Sequence, residues 1–170
     1  MHPLGFLRIP YSVLTALDDR GLHYAMQPYH YLVRIGHILC AAAFFGGIGL
    51  LDLRLIGVRG TVPLKPFAAH TLPWLYATFG VAFATGVALF LYDPVQVGSH
   101  AYFTPKLIFL LLGLLNAVLF HRTGYVAALA AERRMPVPAR AAGAVSLALW
   151  VAVMACACLN TEPAPRVLLR

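Results

Sequence analysis

The stretch "RIGHILCAAAFFGGIGLLDLRLIG", residues 34–57, decides how this chain is read. From Ile38 to Leu51 every residue is apolar or glycine, while Arg34 and His37 stand at one end and Asp52 and Arg54 at the other. An α-helix needs roughly 20 apolar residues to cross ~30 Å of hydrocarbon. The stretch therefore predicts a membrane-spanning helix with polar groups at both edges. Ionisable side chains in lipid are expensive, so they face the bundle interior and have partners. The question is what His37 does a few residues inside that edge, with an arginine one turn before it.

The rest of the chain repeats the pattern. It has 170 residues, 61% of them hydrophobic and only 11% charged, with a mean hydropathy of +0.77. A water-soluble domain of this size needs more polar residues to cover its surface. The predicted fold class is all-α, an integral membrane four-helix bundle with a short N-terminal interfacial helix. The spans are placed at about 29–53, 67–92, 104–127 and 141–160, within one domain over 29–160. Residues 1–28 form an interfacial segment and 161–170 a tail. In the N-terminal segment Ser12 is expected to cap a short surface helix that stops at Gly21. No apolar run there ends in a small-residue cleavage site, so the first span is expected to do the targeting. Thr104 as cap and Pro105 in the first turn mark the start of the third span.

The formal charge is +7, and the basic residues crowd near the ends of apolar runs. In this setting that is a topology signal and not a nucleic-acid surface. The first and third links hold Arg54, Arg59, Lys65, Arg122, Arg133, Arg134 and Arg140, whereas the middle loop holds Asp93 with Lys106 at its edge. The basic links are therefore expected in the cytoplasm and both termini in the periplasm of a bacterial inner membrane.

Of the seven histidines, His37, His70, His100 and His121 lie in or beside the spans. Imidazole is a common axial ligand of haem iron. Depth sorts the four. His37 is fifteen residues from Asp52, or about 22 Å along a helix at ~1.5 Å per residue. His37 and His100 fall at the outer edge, and His70 and His121 at the inner edge. An axial pair needs both rings at one level, so His37 with His100, or His70 with His121, meets that condition and His37 with His121 does not. His30, Arg34 and His37 are spaced four and three apart and share one helix face. Arg34, one turn outward of His37, could pair with a haem propionate. Below them Ala42, Ala43, Gly46, Gly47 and Gly49 leave room for a flat macrocycle, although such rows ordinarily serve helix packing. The bland reading of His70 and His100 is a solvated interfacial imidazole.

Other residues carry less. Asn116 predicts an interhelical hydrogen bond. Arg54 reads as an interfacial arginine or, more sharply, a propionate or substrate contact. Lys106 is expected to snorkel outward. Cys40, Cys156 and Cys158 make no disulfide framework, and Cys156 and Cys158 point about 200° apart on a helix. A copper path through Cys40, Met154 and Cys156 has little support. No nucleophile elbow, phosphate loop, zinc helix signature or dinucleotide fingerprint is present.

Three motifs in order, "GHILCAAAFFGGIGLLDLRLIG", "LPWLYATFGVAFATGVALF" and "FTPKLIFLLLGLLNAVLFH", resemble a bacterial family of four-helix membrane proteins of unassigned function. The likeness runs from about Pro28 to Trp150 and carries His37, Asp52, Arg54, Pro73, Trp74, Lys106, Asn116 and His121. His70 and His100 do not match histidines of that pattern. More distantly the architecture is similar to copper-resistance D proteins and to membrane-bound protoporphyrinogen oxidases. The resemblance implies a small bundle that holds b-type haem. The expected function is electron transfer through haem b within a larger membrane redox assembly. Its expected partners are the lipid bilayer, other redox subunits and a quinone. The alternatives are a non-catalytic subunit of a membrane complex, a copper or other metal handler, and a haem-synthesis oxidase.

Overall fold

The computed structural model describes residues 8–58, 63–131 and 134–161. Along the chain run α1 (Tyr11–Ala16), α2 (Arg20–Met26), α3 (His30–Ile56), α4 (Leu64–Tyr92), α5 (Pro94–Gly98), α6 (Phe103–Thr123), α7 (Tyr125–Leu129) and α8 (Val137–Leu159). Among the described residues, α3, α4, α6 and α8 are long and apolar enough to cross a membrane. The chain is a multi-pass membrane protein whose four long helices pack as a bundle.

The boundaries have local causes. α3 stops at Gly57, whose φ of 111° is left-handed and whose N–H bonds the Leu53 carbonyl. Glycine takes that conformation without a Cβ clash. α4 begins at Leu64, earlier than the expected 67, because Pro66 falls in the first turn, where a missing N–H does no harm. Pro73 consequently lies inside the helix, a placement that packed membrane helices tolerate. α6 starts one residue before Thr104, which makes no cap, and ends at Gly124, where the chain turns into α7. α8 starts at Val137, not 141, with Pro138 in its first turn. Arg59, Arg133 and the tail after Thr161 lie outside the described residues.

The N-terminal segment departs from the single helix expected. It forms two helices, and Ser12 caps neither of them. Gly21 is not a stop but the second residue of α2, because Asp19 caps that helix by accepting from the N–H groups of Gly21 and Leu22. A side-chain acceptor at the N-cap outweighs glycine's weak helix propensity. Leu14 of α1 is 1% exposed and packs on Gly98 of α5.

α3 packs against α4 on one side and α8 on the other, and α8 packs against α6. All four meet at Trp150 of α8. Its ring lies 4.7 Å from that of Phe44 on α3 and 6.1 Å from that of Phe79 on α4, and it lies over Gly113 of α6. A second apolar layer, with Leu51, Leu55, Leu64, Ala68, Leu75 and Ala139, closes the end where α3 finishes. Large apolar side chains such as Leu39, Leu111 and Leu119 stay exposed, as a lipid-facing surface requires. The bundle thus has two ends, one around His37 and one around Asp52, separated by an aromatic middle.

Candidate functional site

His37 sits two turns into α3, half-buried against α4. Its Nδ1 lies 2.8 Å from the Ala82 carbonyl oxygen and 3.2 Å from the Thr85 hydroxyl. A carbonyl only accepts, so Nδ1 is the protonated nitrogen and Nε2 keeps its lone pair. Gly86 makes this possible, because a Cβ there would stand 3.0 Å from the His37 ring. The Thr85 hydroxyl is held by the Val81 carbonyl at 2.6 Å. The ring is thereby fixed in orientation and tautomer by α4, the arrangement that metal-binding imidazoles show.

The same chemistry recurs twice at this end. His23 Nδ1 donates to the Tyr92 carbonyl at 2.8 Å, and His30 Nδ1 donates to the Gln27 carbonyl at 2.7 Å. Both rings stack on Tyr92, at 4.4 and 5.0 Å between centroids. His23 and Tyr92 were not legible as partners because nearly seventy residues separate them; only the return of α4 to the start of α3 brings them together. Lys106 does not extend outward. It is half-buried, with Nζ 5.1 Å from the Phe103 ring centroid. Phe103 in turn stacks on Phe90 of α4 at 5.2 Å, and Asn160 at the end of α8 accepts from the Tyr102 N–H at 3.0 Å. Arg34 is exposed one turn from His37, and His100 is exposed in the loop before α6.

The remaining candidates lie at the other end. His70 on α4 and His121 on α6 are both exposed, and His121 stacks on Tyr125 at 4.5 Å. His121 is eighteen residues into α6, about 27 Å from its start, so it does not converge on His37. Arg54 is buried there at 7% exposure and Asp52 at 2%. Their burial is the second thing sequence reading missed. The Asp-x-Arg spacing looked interfacial, but α8 covers that turn of α3. Gly143 of α8 stands so close that an added Cβ would lie 3.0 Å from the Asp52 carbonyl oxygen and 2.9 Å from Leu55 Cβ. Ser146, 6% exposed, faces the Asp52 carboxyl from the next turn, and Asp52 Oδ2 has no hydrogen-bond partner. Asn116 makes the expected interhelical bond, donating to the Ala142 carbonyl at 3.0 Å. Arg140 Nε donates to the Ile56 carbonyl at 3.2 Å.

The cysteines are free and separate: Cys156 is buried, Cys40 half-buried and Cys158 exposed. Among the described residues no group of three or more His, Cys, Asp or Glu side chains is placed to hold a metal ion. No family model, curated protein or solved structure matches the chain, so its reading rests on this geometry.

Proposed function

We propose that this protein is a membrane-embedded redox subunit that binds b-type haem through His37. The observation that carries the reading is the His37 ring, clamped by its Nδ1–H to the Ala82 carbonyl with Nε2 left as a lone pair. The donor set fits haem from one side. His37 would hold the iron, while His70 and His121 lie at the other end of the bundle. Arg34, one turn away and exposed, supplies a cation for a propionate. Arg54, His70 and His121 sit at the far end and take no part in that group. The aromatic packing of Trp150 with Phe44 and Phe79 occupies the centre of the bundle, which supports the His37 end as the haem's position. Bound haem supplies one-electron chemistry. The chain's own share is to orient His37 through Ala82 and Thr85, and to hold a positive charge nearby with Lys106. The more distant likeness of architecture to copper-resistance D proteins and membrane-bound protoporphyrinogen oxidases supports the same reading.

We place the Asp52 end in the cytoplasm and the His37 end in the periplasm of a bacterial inner membrane. Arg54, Lys65, Arg122, Arg134 and Arg140 all gather at the Asp52 end, as the positive-inside effect requires. On this placement a quinone or a periplasmic subunit meets the His37 end.

Purified protein made with ample haem should give b-type bands in a reduced-minus-oxidised spectrum. The bands should persist in His121→Ala and His70→Ala and be lost in His37→Ala. A wild-type spectrum without haem bands overturns the proposal. The filled bundle interior favours a second reading, a non-catalytic subunit of a membrane complex. In that case His37→Phe leaves complex assembly unchanged and no cofactor copurifies. Copper handling, the third alternative, would appear as bound copper in metal analysis.

A further inference from the structure

Asp52 is a buried acid that the redox reading does not use. It is 2% exposed in a membrane-spanning bundle, and its Oδ2 has no hydrogen-bond partner. An unpaired carboxylate away from water costs several kcal/mol or more, so this oxygen calls for something to complete it. The seam limits what that can be. Gly143 brings the α8 backbone against Asp52 and Leu55 with no space for a Cβ, so a hydrated metal cation does not fit between the helices. The charged and titratable groups at this end are Arg54 on α3, Lys65 and His70 on α4, His121 and Arg122 on α6, Tyr125 on α7, Arg134 before α8 and Arg140 on α8. Arg54 is buried, Tyr125 half-buried and the others exposed. Among the described residues no other acid stands with them, so a metal cation would also be repelled. A proton meets both limits: it needs no volume and it removes the buried charge.

We propose that Asp52 is a proton-exchange site in the α3–α8 seam, whose carboxyl takes up and releases one proton with the water at the basic end of the bundle. The path is short. Asp52 is five residues from Gly57, where α3 ends, about 7 Å along the helix. The Ser146 hydroxyl facing the carboxyl can donate to the carboxylate or accept from the acid, so either state keeps a partner there and exchange is the expected behaviour. Release moves the proton from Oδ2 to water and leaves the negative charge facing Ser146. The inference is independent of haem.

Infrared spectra of the haem-free, reconstituted protein across about pH 5 to 9 test it. A carboxylic C=O stretch should appear at the acid end and give way to the carboxylate band as pH rises. It should be absent from Asp52→Asn and displaced in Ser146→Ala. Should Asp52→Asn fail to fold, carbon-13 aspartate labelling of wild type and Ser146→Ala makes the same assignment. No carboxylic band at any pH, a band that ignores pH, or a band that survives in Asp52→Asn each overturns the proposal.

Discussion

The two ends of the bundle both hold ionisable side chains against neighbouring elements, and they handle them in opposite ways. At the His37 end, each of three imidazoles gives its Nδ1–H to a backbone carbonyl: Ala82, Tyr92 or Gln27. Aromatic rings then cover what the hydrogen bonds leave, as Tyr92 does for His23 and His30. At the Asp52 end the backbones themselves are pressed together at Gly143, and the carboxyl is left with one oxygen unanswered. The difference lies in the side chains' own chemistry. A neutral imidazole can be satisfied by one carbonyl and still keep a lone pair for a ligand. A carboxylate is acceptor-only, and a helix offers it no spare N–H in mid-run because those groups are bonded within the helix. One end is thus built to hold a ring in place, the other to leave an acid exchangeable.

The contrast depends on the aromatic middle that keeps the ends apart. Trp150→Ala should have the largest effect, about 3–5 kcal/mol of stability, because it empties the point where all four long helices meet. Unfolding in a denaturing-detergent titration measures it. The loss should disturb both ends together, seen as faster amide exchange around His37 and Asp52 alike. Exchange confined to one end would break the idea of a shared divider.

Leu14→Ala should come next, within the roughly 2–5 kcal/mol range for a buried leucine. The effect should be local. α1 should lose protection from protease and exchange while the α3–α8 seam stays as protected as in wild type. Loss of protection at Asp52 would mean that the two ends are not separable.

Gly143→Ala tests the other end. The added methyl meets Asp52 and Leu55, and overpacking of this kind costs about 1–3 kcal/mol. The lost stability should leave the His37 site intact, so haem content per folded protein should match wild type. Asn116→Leu should be the mildest, about 0.6 kcal/mol for one interhelical hydrogen bond in a membrane bundle. Its readout is the same detergent titration, with no change at the His37 end.

Much of the frame is visible in the residues themselves. Four apolar runs of spanning length, punctuated by Gly57, Pro63 and Pro136, mark the helices to within a few residues. Asn116, a lone amide in an apolar run, announces its own interhelical bond. Depth counted along the helices also separates His37 from His121 correctly, because 1.5 Å per residue holds whatever the packing. The N-terminal segment was less legible. Gly21 carries the composition of a stop, and only the reach of the Asp19 carboxylate to its N–H turns it into a start.

What the sequence by itself determined is the existence, length and order of the spanning helices, since hydrocarbon thickness and backbone hydrogen bonding leave an apolar chain few other states. It determined the position of each polar residue along its helix for the same reason. Only the tertiary structure decided rotation, that is, which face of each helix meets a neighbour. Rotation places His37 on Ala82 and Asp52 behind Gly143, while turning His121, His70 and Arg34 outward. It is set by side-chain contacts between segments distant in the chain, such as Trp150 on Gly113 and Leu55 on Gly143. When nearly every face of a helix is apolar, hydrophobic periodicity carries no information about which one turns inward.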